Sequence, residues 1–147
     1  MVVATPGGEA GAAGRNPLTK GAPMKTKSYN ILVVDDDWGV LMMTAMALEM
    51  MGYRTTPALG GVAAVEAMNR SCYDAILTDL NMPGMDGTVV LREARERHPE
   101  APVIIMTGNP TQARACSDTG NAPDVVLEKP FRLEELLSSL EGCLCPS

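Results

Sequence analysis

DAILTDLNMPGMDG, residues Asp74 to Gly87, runs a short apolar segment straight into a carboxylate, Asp79. Ala75, Ile76 and Leu77 form an apolar run of buried-strand length, and Asn81, Pro83, Gly84 and Gly87 after it are turn residues. The spacing therefore predicts Asp79 at the carboxyl end of a strand. In open parallel α/β sheets that edge lines the crevice where ligands bind, so a carboxylate standing there points to chemistry before packing.

Working outward from this stretch, the same pattern recurs. Ile31 to Val34 form an apolar run that ends in Asp35, Asp36 and Asp37. Val40, Leu41, Thr44, Ala45, Leu48 and Met51 follow at helical spacing, with Gly52 as the stop. An acidic start suits the helix dipole, which accounts for one or two of the three acids. Tyr53 to Ala58 reads as a second strand, placed near an edge or a strand end by Pro57. Ala64, Val65 and Met68 mark a short helix before the central stretch. After it, Asp86 is the expected N-cap of a helix to about Arg97, with Val89, Val90 and Ala94 inward. His98, the only histidine, sits at that helix end as a dipole-compatible surface residue.

Val103 to Met106 form a fourth strand ending in Thr107 and Gly108, and a weak polar helix is expected from about Thr111 to Asp118. Val125 to Leu127 form a fifth strand that runs into Glu128 and Lys129. Leu133, Leu136, Leu137 and Leu140 then mark a closing amphipathic helix stopped by Gly142. Strand and helix alternate five times. That order predicts an α/β fold: a doubly wound (βα)5 parallel five-stranded sheet, with helices on both faces and right-handed crossovers.

Composition bounds the function. A chain of 147 residues, 46% hydrophobic and 20% charged, fits one soluble globular domain. With aromatic residues at 3%, packing rests on aliphatic side chains and eleven Met. A net charge of −6 argues against a direct nucleic-acid surface, which needs clustered Lys and Arg. Cys72, Cys116, Cys143 and Cys145 lack metal-finger spacing and read as reduced thiols. Without a membrane-length apolar run or a signal-peptide pattern, the expected location is the cytoplasm. Residues 1–27, rich in Gly, Ala, Pro and Thr, read as a disordered tail ahead of a domain over 28–145.

Four of the five strands thus carry a polar group to one edge: Asp35 and Asp36, Asp79, Thr107 and Lys129. Three carboxylates about 4 Å apart would repel by a few kcal/mol per pair at an effective dielectric near 20, so a cation must neutralise them. An all-oxygen set without His or Cys suits Mg²⁺, which shares its shell with water and phosphate. Asp79 can then act as a nucleophile on phosphorus, with Lys129 and the metal offsetting charge on the phosphoryl oxygens and Thr107 adding a hydroxyl donor.

VVDDD at Val33 to Asp37, TDLNMPGMDG at Thr78 to Gly87, MTG at Met106 to Gly108 and EKPF at Glu128 to Phe131 occur in order at compatible spacing. Together they resemble the receiver domain of bacterial two-component signalling, a flavodoxin-like fold, over Ser28 to about Leu144. The resemblance implies that Asp35, Asp36, Asp79 and the backbone carbonyl of Asn81 hold Mg²⁺. It implies that Asp79 takes a phosphoryl group from a histidine kinase or histidine phosphotransfer protein. Lys129 would pair with the phosphate, Lys129-Pro130 would be a cis peptide, and Thr107 would be the switch hydroxyl. Beyond self-phosphorylation and slow self-dephosphorylation no enzyme activity is expected, and the chain is expected as a monomer or weak dimer.

The chain departs from the family twice. An aromatic residue usually stands three positions before the lysine, where this chain has Val126, and the segment before the fifth strand is polar and interrupted by Pro110, Gly120 and Pro123. With room for only one helix after Phe131, the expectation is a stand-alone receiver. The alternatives are the receiver piece of a hybrid kinase, or a phosphorylation-independent interaction module. An EF-hand is excluded because Pro83 and Val90 fall at ligand positions. A dehalogenase-like phosphatase is excluded because its nucleophile lies on the first strand and its acidic pair comes late.

Overall fold

The apolar runs are strands. The structure, a computed structural model, describes residues 28–82, 87–109, 111 and 122–144. Its strands are β1 (Asn30–Asp35), β2 (Arg54–Leu59), β3 (Ala75–Asp79), β4 (Val103–Thr107) and β5 (Val125–Glu128). Among the described residues the helices are α1 (Trp38–Met50), α2 (Gly61–Arg70), α3 (Gly87–Arg97) and α4 (Leu133–Leu144). The expected tail, the Asp86 cap and, apart from Thr111, the expected helix over 111–118 lie outside the described residues.

All strand pairs are parallel, in the order β2-β1-β3-β4-β5. Parallel neighbours require a crossover, and the helices supply it. Because side chains alternate along a strand, each apolar run feeds two cores. Ile31, Val33, Leu77, Ile104 and Met106 pack under α1 and α4, against Leu41, Leu48, Leu136 and Leu140. Leu32, Val34, Ile76, Val103 and Ile105 pack on the other face, with Ala64 and Met68 of α2 and Val90 and Leu91 of α3. The sheet is thus doubly wound. Strands buried on both faces explain why the sequence shows runs rather than alternation.

Pro57 lies on β2, an edge strand of the sheet, where a missing N–H donor is tolerated. From β1 the chain moves outward to β2, then returns to the other side of β1 to build β3. Between β1 and β3 the winding direction reverses, which opens a crevice at the carboxyl ends of those two strands. Their last residues are Asp35 and Asp79.

Details of the helical faces differ from expectation. Met51 is 55% exposed, just past the end of α1, and Leu133 is 41% exposed at the first position of α4. On α3 the fully buried partner of Val90 is Leu91, whereas Val89 is only half-buried. The closing helix passes through Gly142 to Leu144, since Cys143 and Leu144 still pack on the core and the Leu144 carbonyl accepts a hydrogen bond from the Tyr29 hydroxyl at 3.4 Å. Gly52 does end α1, with φ at 100°. His98 is half-buried rather than on the surface, with Nε2 3.1 Å from the Met68 carbonyl at the end of α2.

Candidate functional site

At the carboxyl edge the strand-end groups converge. Carboxylate oxygens of Asp35, Asp36 and Asp79 lie within 4.8 Å of one another. Asp35 is 1% exposed and Asp79 7%, whereas Asp36 is exposed at the crevice mouth. Burial of Asp35 is offset by two partners: Oδ1 accepts the Asp37 backbone N–H at 3.0 Å, and Oδ2 faces the Lys129 ammonium at 3.4 Å. The same ammonium is 3.5 Å from Asp79 Oδ1. One lysine therefore bridges the ends of β1 and β3 from the end of β5.

Asp37, the third acid of the run, does something else. Its side chain caps α1, Oδ1 accepting the Val40 N–H at 3.2 Å. The three acids divide between the crevice and the helix start, as dipole reasoning requires.

Asp79 titrates above the ordinary carboxylate value of 3.8. Burial is the main cause; the Lys129 ammonium pulls the other way, Asp35 and Asp36 add repulsion, and the Leu80 N–H partly compensates. A buried anion flanked by two more is electrostatically under-neutralised by one lysine. The residues fit a divalent cation: oxygen donors only, spaced closely enough to share one ion, with net negative charge around them.

Thr107, fully buried at the end of β4, directs its hydroxyl into its own loop. It accepts the Asn109 N–H at 2.9 Å and donates to the Asn109 carbonyl at 3.3 Å. Thr107 and Lys129 are tied through the backbone, the Lys129 N–H donating to the Thr107 carbonyl at 2.7 Å. The Lys129-Pro130 bond is cis, as the resemblance implied. Asn81 lies just past β3, exposed, in the loop that follows Asp79.

Sequence reasoning took Gly87 for a turn residue, whereas it opens α3. Its N–H donates to the Leu80 carbonyl at 2.7 Å. A Cβ there would stand 2.4 Å from the Asp79 carbonyl oxygen and 2.7 Å from the Leu80 Cα. The start of α3 therefore sits directly on the backbone that carries Asp79. A glycine closing the run after the acid was the available signal.

Known proteins are similar to this chain in sequence and in fold. Residues 31–141 match the response regulator receiver domain family. The chain is 35% identical over 114 residues to the DNA-binding transcriptional regulator NtrC of Escherichia coli, covering 78% of this chain and 24% of that protein. It is 34% identical over 117 residues to the response regulator MprA of Mycobacterium ulcerans, covering 80% of this chain and 50% of that protein. The chain thus spans between a quarter and a half of the length of these relatives. Among solved structures, a receiver domain of a sensor histidine kinase from Pseudomonas aeruginosa, with magnesium in its active-site cleft, superimposes with a TM-score of 0.72 at 31% identity, covering 80% of this chain and 98% of that one. The response regulator TrrA of Thermotoga maritima, in complex with Mg²⁺ and beryllium fluoride, gives 0.71 at 28% identity, over 79% and 99%. A reversing parallel sheet, three acids and a lysine at its carboxyl edge, and a family match across nearly all the described residues agree: the chain belongs to the receiver domain family of two-component response regulators.

Proposed function

We propose that the domain is a phosphoacceptor: it takes a phosphoryl group from a phosphohistidine donor, a histidine kinase or histidine phosphotransfer protein, onto Asp79. The observation that carries this reading is the convergence of Asp35, Asp36 and Asp79 with the Lys129 ammonium at one sheet edge. A carboxylate oxygen of Asp79 attacks phosphorus as the P–N bond to the donor imidazole breaks, leaving an acyl phosphate on Asp79 and a neutral imidazole that retains its proton. Asp35 and Asp36, with an Asp79 oxygen and the Asn81 carbonyl, would hold Mg²⁺. When bound, that ion supplies positive charge that offsets repulsion between the carboxylates and the incoming phosphoryl oxygens. Lys129 leaves its place between Asp35 and Asp79 to pair with the transferred group. Thr107 turns its hydroxyl from Asn109 toward the same oxygens.

Signalling through a conformational change, a cytoplasmic location and a domain spanning 28–145 belong to this proposal. Among the described residues no helix is long and apolar enough to cross a membrane.

Incubation with acetyl phosphate and Mg²⁺, followed by intact-mass and peptide mass spectrometry, tests the proposal. One phosphate on Asp79, lost on chelation of Mg²⁺ and absent in Asp79→Asn, is the expected result. Phosphate on Asp36, or none on wild type, refutes it.

A further inference from the structure

Thr78 carries a hydroxyl where packing asks for none. It is fully buried on β3, and its partners in register on β1 and β4 are Val34 and Ile105, both fully buried in the core that α2 and α3 cover. Valine would fill the same volume. A buried hydroxyl is costly unless it is hydrogen-bonded, and this one donates to the backbone carbonyl of the next residue, Asp79, at 2.9 Å.

That carbonyl belongs to the peptide unit between Asp79 and Leu80. Backbone groups alternate along a strand: the Ile76 and Leu80 N–H groups turn to β4, where they meet the Pro102 and Met106 carbonyls, so the Asp79 carbonyl turns to β1. The ladder between β1 and β3 ends one step earlier, at Val34 and Thr78, and β1 itself ends at Asp35. The Thr78 hydroxyl therefore serves an acceptor that lies past the end of the ladder. Gly87 confines the same oxygen, since a Cβ there would stand 2.4 Å from it. At the other end of the unit, the Leu80 N–H faces the Asp79 carboxylate and offsets part of its charge. Because a peptide unit is planar, a hydroxyl that holds the carbonyl also holds the N–H.

We propose that Thr78 is a positioning residue for phosphoryl transfer: its hydroxyl fixes the plane of the Asp79–Leu80 peptide, and through it the direction in which the Asp79 carboxylate meets Mg²⁺ and the phosphoryl group. This role deepens, and rests on, the phosphoacceptor role of Asp79. It acts through backbone that carries the nucleophile, without contact between Thr78 and the reacting atoms.

Two substitutions separate the hydroxyl from the packing. Thr78→Val keeps the volume and removes the hydrogen bond, whereas Thr78→Ser keeps the hydrogen bond and opens a methyl-sized gap. Mg²⁺ titration without phosphate, and the rate of Asp79 phosphorylation by acetyl phosphate at saturating Mg²⁺, are read on both variants and wild type below all three melting temperatures. Thr78→Val should lose about tenfold in Mg²⁺ affinity and about tenfold in phosphorylation rate. Thr78→Ser should stay within about twofold of wild type in both, although it melts lower than wild type. A threonine that served packing alone would give the reverse, with Thr78→Ser the poorer variant. Thr78→Val within about twofold of wild type in either reading, or Thr78→Ser falling as far as Thr78→Val, overturns the role of Thr78 alone. Wild type that takes no phosphate on Asp79 overturns the phosphoacceptor role and this one with it.

Discussion

Residue by residue, the three consecutive acids separate by geometry rather than by chemistry. Asp36→Ala is expected to weaken Mg²⁺ binding by tenfold or more, because it removes one of three oxygens within reach of a shared ion. Asp37→Ala should leave Mg²⁺ affinity within about twofold and instead cost about 1 kcal/mol of stability through the lost α1 cap. Metal titration and urea melts of both variants distinguish them, and equal metal losses would mean that the roles are wrong. Gly87 behaves differently again. Replacing an ordinary helical glycine by alanine stabilises, and Gly142→Ala, with nothing within 4 Å of its new methyl, should gain roughly 0.5–1 kcal/mol. Gly87→Ala should instead lose about 1–3 kcal/mol and tenfold in Mg²⁺ affinity, because its methyl meets the Asp79 carbonyl and can be relieved only by moving that backbone. Normal metal affinity in a folded Gly87→Ala protein would refute the coupling. Spacing named the acids at the strand ends, but it held no information on which backbone would crowd Gly87.

At the scale of elements, strands were legible in the sequence because each is an apolar run closed by a polar residue, and helices because their buried sides recur at the helical period. Helix ends were less legible. Met51 and Leu133 fit the period but are exposed at helix ends, and Gly142 carries no signal by itself that α4 continues beneath it. α1 is apolar on both sides; periodicity named all three of its buried residues, Leu41, Ala45 and Leu48, and nothing of its outer side. The loop after β4 carries the output question. Thr107 is held by the Asn109 backbone, and the Asn109 side chain accepts the Thr111 N–H at 3.2 Å. Val126, half-buried against the α2–α3 core, has no ring to rotate and only stiff χ1 choices. When Thr107 turns toward a phosphoryl group, Asn109 loses its acceptor and the turn loosens. Beryllium fluoride with Mg²⁺ should therefore speed amide exchange at Asn109 and Thr111, with a coupling of about 1–3 kcal/mol. Thr107→Ala should abolish the response. Exchange changes confined to the acidic crevice would rule out this route.

For the molecule as a whole, the carboxyl edge of the sheet links global stability to pH and to Mg²⁺. Parallel alternation told the sequence reader that polar groups would gather at this edge; it could not tell that Lys129 would bridge Asp35 and Asp79, since those three residues meet only through the order β1-β3-β4-β5. Asp79 has a folded-state pKa raised above its ordinary value of 3.8, chiefly by burial, with Asp35 and Asp36 adding to it. A carboxyl raised in this way binds its proton more tightly in the folded state than in the unfolded one. Its contribution is therefore fully present below pH 3.8 and is lost as pH rises through the raised value. Once ionised, Asp79 is a buried charge that Lys129 alone leaves under-neutralised. Asp79→Asn removes that charge while keeping the shape, so the metal-free variant should melt a few degrees higher than wild type at pH 7, with the advantage vanishing near pH 4. Mg²⁺ acts unequally on the two proteins. At a hundredfold excess over its dissociation constant it should stabilise wild type by about 2.7 kcal/mol, overtaking the variant, whose remaining ligands bind the ion less well. Thermal melts of both proteins from pH 4 to 7.5, with and without Mg²⁺, read all four corners of this comparison. If wild type without metal is the more stable at pH 7, or if Mg²⁺ stabilises both proteins equally, Asp79 is not the charge that the crevice leaves unbalanced.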